Sequence, residues 1–445
     1  MTSLKRRIPA WLNKQVFGWA MFDFANQAFT LVILTAMFSV YFKDHVAPAG
    51  TGEYYWSAAG IITQVMVIIL APILGALADF TGAKKRLLFI TWIGCVIFTA
   101  SLGLVPPNSL WLGLTLFIIA YLFYASGENF MAAFLPELAP HRFMGRVSAF
   151  GWTLGYCGGL VCLAGAAWIV SFWEEGAPTG YRFVSLWAGV FFFVAAIPTF
   201  VYLKEKKQPE PLPPGRSYVG MGFGRLLETY RSLREYRRLF HFLAIMTVYF
   251  AGVQIVFWFA GILTQELFNF EPAQSGMFIL QMTVTAIVGA MLTARYQDRI
   301  GTKNFILIVL AAWIVAILAT AYVAWLISRD AGRPWMPWVV GNVIGLIVGG
   351  IGTSSRAMVG LFSPQHKAAE FFGFFGLAHK LSAILGLASI ALARWLLGDW
   401  HLVVAAGSIF FIIGFVLMLG VNERDGRVAA LRQGKAHQRR LRSAS

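Results

Sequence analysis

Six ionisable residues fall inside long apolar stretches of the chain: Asp23, Glu128, Arg356, His379, Lys380 and Arg394. A charge at the centre of a bilayer costs on the order of 3 kcal/mol even on a lenient insertion scale, so each needs a physical reason to be there. Lys380 lies about ten residues into its stretch, roughly 15 Å deep at the helical rise. Asp23 lies about seven residues in, roughly 10 Å deep. Glu128 and Arg356 sit at equivalent depths in the fourth and tenth stretches, and Arg394 is close enough to an end to snorkel. Two outcomes are open. The charges could neutralise one another, Asp23 with Lys380 and Glu128 with Arg356. Or they could line an aqueous cavity, where two carboxylates and two cations suit a solute bearing both charges, such as an amino acid. A carboxylate there could also carry a coupling proton. Asn26, Asn129 and Gln254 add neutral hydrogen-bonding groups. Trp19, Trp152, Tyr156, Tyr249 and Trp258 could supply apolar walls.

The elements that hold these residues follow from composition. The chain is 58% hydrophobic and only 13% charged, far outside the range of a soluble domain. Apolar runs long enough to cross a bilayer recur from Phe17 to Val421, which predicts an all-α polytopic membrane protein. About twelve spans result: 16–43, 55–79, 87–105, 109–138, 146–172, 182–203, 239–267, 275–297, 303–327, 335–361, 370–396 and 400–421. Residues 204–238 divide them into two bundles of six, 1–203 and 239–423, and a basic tail occupies 424–445. The divider opens with the stiff, proline-rich Lys204-Glu-Lys-Lys-Gln-Pro-Glu-Pro-Leu-Pro-Pro. From Phe223 to Arg238 it has an apolar face flanked by arginines, the pattern of a leaflet-bound helix.

The net charge of +16 is concentrated in alternate loops. This positive-inside pattern places both termini in the cytoplasm, in a bacterial inner membrane, and argues against a nucleic-acid partner. No cleavable signal precedes the first span. Cys95, Cys157 and Cys162 lie within spans and read as packing residues, not a metal site or disulfide.

The halves are related. Pro136 and Pro364 each close a span and are 228 residues apart (364 − 136); the same offset relates Phe134 to Phe362, Gly145 to Gly373 and Glu128 to Arg356. A second correspondence concerns turns. Gly75-Ala-Leu-Ala-Asp79-Phe-Thr-Gly82-Ala-Lys84-Lys-Arg ends one apolar run and starts the next, and Gly82 permits the tight reversal. It recurs in reduced form at Asp298-Arg-Ile-Gly301-Thr-Lys303, an offset of 219 (298 − 79). Asp79 and Asp298, each at a membrane edge, are placed to face a cation or a helix N-terminus and so to hold a cytoplasmic gate. Duplicated six-helix halves are the expected plan of a transporter.

The first of these turns resembles the signature between the second and third helices of major facilitator transporters. Longer stretches resemble one branch, the vacuole-effluxer-like family that includes the autophagy-related vacuolar amino-acid exporter. They are Phe22-Asp23-Phe-Ala-Asn26, Phe134-Leu-Pro136-Glu-Leu-Ala, Gly145-Arg146-Val-Ser148-Ala-Phe-Gly151-Trp-Thr-Leu-Gly155-Tyr-Cys-Gly158-Gly159, and Ser354-Ser355-Arg356 with Ala369-Glu370-Phe371-Phe372-Gly373 and Lys380. The resemblance implies a twelve-helix major facilitator fold that exports or exchanges small amphiphilic solutes. It also implies a cavity lined by spans one, four, seven and ten, with Asp23, Glu128, Gln254 and Arg356. The chain departs from that pattern at Ala251, where an acid is usual, and at Ala132, where Asn is usual. It departs again at Gln27 and Phe80.

The function expected is therefore secondary transport by alternating access, by a monomer in contact with membrane lipids, with protons as coupling ions and no cofactor. A lipid-acting membrane enzyme is the alternative from another class, but no cluster with metal-ligand spacing appears. A transporter-derived scaffold or sensor is a third.

Overall fold

The computed structural model describes residues 13–138, 144–173, 178–205, 236–363 and 368–444, together with Ser217, Tyr218, Gly220, Met221 and Gly224. Most of the 223–238 segment expected to lie on a leaflet is outside the described residues. Asp79 and Asp298 lie on described helices, but their side chains are outside the description.

Among the described residues there is no strand, and twelve helices are long and apolar enough to cross a bilayer. With no water in hydrocarbon to satisfy backbone groups, a helix meets them internally. In chain order they are α1 (Lys14–Val46), α2 (Gly52–Thr81), α3 (Lys84–Ser101), α4 (Leu110–Leu138), α5 (Met144–Val170) and α6 (Pro178–Tyr202). There follow α7 (Arg237–Phe268), α8 (Pro272–Ile300), α9 (Thr302–Ile327), α10 (Met336–Phe362), α11 (Ala368–Leu397) and α12 (Trp400–Leu419). A further helix, α13 (Glu423–Ala444), is polar. The twelve expected spans are all present.

The chain forms two compact units, Met1–Pro48 with Ile69–Leu226, and Ala49–Ile68 with Leu227–Ser445. The first half of α2, up to Ile68, thus packs within the second unit. In the first unit α1 packs on α5 and α6, and α3 packs on α4 and α6. In the second, α7 packs on α11 and α12, and α9 on α10 and α12, which is the same plan six helices later. One pair of glycines shows how closely the plan repeats. Gly158 of α5 leaves no room for a Cβ against the Phe24 carbonyl of α1, and Gly386 of α11 leaves none against the Ala251 carbonyl of α7. They are 228 residues apart (386 − 158), the offset found in the sequence.

The duplicated turn repeats in detail as well. Gly82 and Gly301 adopt positive φ, 60° and 88°, a conformation glycine reaches without penalty. The Lys84 N–H donates to Glu205 Oε1 at 2.8 Å, and the Lys303 N–H to Glu423 Oε2 at 2.8 Å. A carboxylate arriving from beyond the sixth or twelfth span therefore caps the N-terminus of the third or ninth. The ammonium groups of Lys85 and Lys303 donate to the last-turn carbonyls of Phe200 and Leu419, each at 2.8 Å.

Lys84 Nζ also pairs with Glu137 Oε1 at 2.7 Å, their side chains 6% and 14% exposed. Lys84 of the turn is thus bound inside the first unit, to the glutamate of the Phe134-Leu-Pro-Glu stretch. Glu137→Gln should remove the carboxylate of this buried pair and destabilise the protein by up to about 3–5 kcal/mol, whereas Lys84→Met combined with Glu137→Gln should recover most of that loss. Thermal unfolding of the solubilised protein reads both. Equal midpoints for parent and Glu137→Gln would contradict it.

Candidate functional site

In the first unit the site is built on facing turns of α1 and α4. Asp23 and Asn26 are three residues apart and share a face of α1; Thr30 lies one further turn along. Tyr124 and Glu128 stand four apart on α4. Asn26 Nδ2 donates to Glu128 Oε1 at 3.2 Å. Thr30 Oγ1 donates to the Tyr124 hydroxyl at 2.9 Å, and that hydroxyl is in turn hydrogen-bonded to Glu128. A chain of donors thus ends on one carboxylate, an arrangement that favours a negative charge, and Glu128 itself is exposed. Asn26 is 3% exposed, and its Oδ1 has no partner among the described residues. Phe29 stacks on the Tyr124 ring at 4.8 Å between centroids and fixes its orientation.

Two features of α1 open this region. Beyond Gln27 the helix widens: Met37 N–H bonds to the Val32 carbonyl and Ala47 N–H to that of Phe42, each five residues back. Such π-turns occur often at functional sites. Asp23 is half-buried, and its carboxylate occupies the space that a side chain at Gly151 of α5 would fill. Asn129 follows Glu128 on α4 and is half-buried.

The second unit carries the cations. Gln254 Nε2 of α7 donates to the His379 carbonyl of α11 at 3.3 Å, and Ser382 Oγ donates to the same carbonyl at 2.7 Å. The His379 ring lies between Phe250 and Phe375, at 4.3 and 4.5 Å between centroids and close to edge-on to each. The Arg356 guanidinium lies 5.9 Å from the centroid of the same Phe375 ring. Beside it the hydroxyls of Ser355 and Tyr249 are 2.8 Å apart. Arg356 and Lys380 are both half-buried. Ala251, where the resembled family has an acid, is fully buried under α11.

Asp23 and Glu128 therefore belong to the first unit, and Arg356 and Lys380 to the second. The pairings considered from the sequence would join residues of different units. Arg394, expected to snorkel, instead pairs with Glu53: Nε lies 3.1 Å from Oε1, with the side chains 26% and 7% exposed. Its guanidinium stacks over Trp400 at 4.8 Å. The reason is the placement of the first turns of α2, which bring Glu53 into this unit. The same placement lets Trp56 donate to the Trp258 carbonyl at 2.8 Å, so Trp258 is a packing residue. Trp19 donates to the Met131 carbonyl at 2.9 Å and is likewise packed.

Thr30 and Tyr124 were not foreseen from the sequence. The available signal was spacing, since Thr30 follows Asn26 by four residues and Tyr124 precedes Glu128 by four.

A family model described as "Vacuole effluxer Atg22 like" matches residues 53–431. An uncharacterized MFS-type transporter of Bacillus subtilis, YxiO, is 27% identical over 432 residues, covering 92% of this chain and 95% of that protein. Autophagy-related protein 22 of Yarrowia lipolytica is 24% identical over 286 residues, covering 59% of this chain and 48% of its own. The chain thus spans about half the length of that fungal relative. Among solved structures, the POT family transporter PepTSo superposes with a TM-score of 0.69 at 12% identity, covering 95% of this chain and 99% of that one. The nucleoside transporter NupG gives 0.67 at 13%, with 92% and 100% covered, and the D-xylose-proton symporter 0.65 at 13%, with 93% and 98% covered. At these identities the structures speak to the fold alone.

Proposed function

Because this chain belongs to the Atg22-like vacuole effluxer family and is a membrane transporter of the major facilitator type, we propose that it carries a small solute bearing both an ammonium and a carboxylate group, of the amino-acid kind. Transport runs by alternating access in a bacterial cytoplasmic membrane, with a proton as coupling ion. Membership in a transporter family removes the lipid-acting enzyme from consideration.

The observation that carries the proposal is the segregation of charge. Asp23 and Glu128 lie in one unit, Arg356 and Lys380 in the other, so the spans supply counter-charges of both signs for a zwitterion. Glu128 is the candidate proton carrier. It accepts from Asn26 and is bonded to Tyr124, so it has partners that hold its charged form until a proton arrives. Asp23, beside Gly151, is the candidate partner for the ammonium group. The cation-rich alternate loops support cytoplasmic termini.

Reconstitution in proteoliposomes with a panel of radiolabelled amino acids, nucleosides and pentoses, with and without an imposed pH gradient, tests this. At least one zwitterionic amino acid is expected to accumulate, and only when the gradient is present. Transport confined to an uncharged nucleoside or sugar would overturn the proposal.

A further inference from the structure

Transport makes no use of one side of the helix that follows the last span. α13 begins at Glu423, and only Gly420, Val421 and Asn422 separate it from the end of α12. Its first turns are held to the second unit in a fixed rotation. Glu423 accepts the Lys303 N–H at 2.8 Å, Gly426 lies too close to the Phe362 ring to admit a Cβ, and Ala430 is buried. Asp425 pairs with Arg238 at 3.4 Å. The opposite side is exposed over Arg424, Arg427, Val428, Leu431 and Arg432, with Leu431 57% exposed. In the sequence, Lys435, Arg439 and Arg442 follow at helical spacing. From residue 424 on, the chain carries seven Lys and Arg against one acid, Asp425.

We propose that this stripe is a docking surface for the anionic phospholipid headgroups of the leaflet in which α12 ends. Four arguments favour that occupant. The helix starts three residues from the end of a membrane span, so its first turns are within reach of headgroups. Its charge is complementary to an anionic leaflet. Val428 and Leu431 stand among the arginines, where an interface accepts apolar groups and a wholly aqueous polyanion does not. Glu423, Gly426 and Ala430 hold the helix from the other side, so docking leaves those contacts in place, and only the exposed Asp425–Arg238 pair lies beside the stripe.

The test uses the full-length protein with Cys95, Cys157 and Cys162 replaced by alanine. Leu431→Cys carries an environment-sensitive fluorophore, and the protein is placed in nanodiscs of phosphatidylcholine alone or mixed with phosphatidylglycerol. A blue shift and quenching by spin-labelled lipid are expected only in the mixed discs. High salt, or the combined changes Arg424→Gln, Arg427→Gln and Arg432→Gln, should reduce the quenching at least about two-fold. Hydrogen exchange over 424–434 in the unlabelled parent should slow in the mixed discs, which guards against an effect of the label. Identical emission and exchange in both lipids would overturn the proposal. So would protection conferred only by added RNA or an acidic protein.

Discussion

Glu128→Gln should abolish accumulation driven by a pH gradient while leaving exchange of labelled for unlabelled solute within about three-fold of the parent. Glutamine keeps the shape of the side chain and can still meet the Asn26 amide and the Tyr124 hydroxyl that hold Glu128. It cannot take up or release a proton. A transporter whose coupling ion binds this carboxylate therefore loses the driven phase and keeps the solute-binding and alternating steps. The driven uptake should fall by about 100-fold, the lower end of what one positioned proton-transfer group contributes. The two assays use the same proteoliposomes, so poor folding or poor insertion would lower both together. Undiminished gradient-driven uptake by Glu128→Gln would remove this residue from coupling.

The second large effect concerns the cations. Lys380→Met should weaken solute binding by roughly 30- to 150-fold, the equivalent of about 2–3 kcal/mol for losing one partner of a desolvated charge pair. Lys380 adjoins His379, whose carbonyl is held by Gln254 and Ser382. Its backbone position is therefore fixed by α7 as well as by its own helix. Methionine keeps the length and the apolar stem and deletes the ammonium. The decisive readout is discrimination and not rate. The parent should reject the decarboxylated amine of its solute strongly, and Lys380→Met should treat the solute and that amine nearly alike. If the variant keeps the parent's preference, the ammonium does not recognise the carboxylate. Arg356→Gln should weaken binding in the same direction, and its rest position over the Phe375 ring supplies a surface from which the guanidinium can reach a ligand.

Membrane insertion dominates what could be read in advance. Hydrophobic length dictates spans, because each unsatisfied peptide group in hydrocarbon costs several kcal/mol and the helix alone removes the cost locally. All twelve helices were therefore predictable from apolar runs. The duplication was readable in part, since Gly82 and Gly301 need glycine for a local positive φ, whereas Gly158 and Gly386 need it because another helix comes close. The charged residues could be named for the same cause: a carboxylate or ammonium in such a run is costly wherever it ends up pointing.

The partners of those residues were not readable. Asn26 meeting Glu128, Lys84 meeting Glu137 and Arg394 meeting Glu53 depend on how helices far apart in the chain rotate about their axes and pack. Hydropathy is nearly blind to rotation when all faces of a helix are apolar. Arg394 shows the cost of that blindness. A span-end arginine has a satisfactory local solution in snorkelling, and only the packing of the first turns of α2 within the second unit gives it a buried carboxylate. The sequence by itself determined the number of helices, their duplication and which intramembrane residues carry charge, because those follow from transfer energies and local backbone geometry. The tertiary structure alone decided which carboxylate acquires a chain of donors, because a hydrogen bond between α1 and α4 depends on ångström-scale register that no local energy specifies.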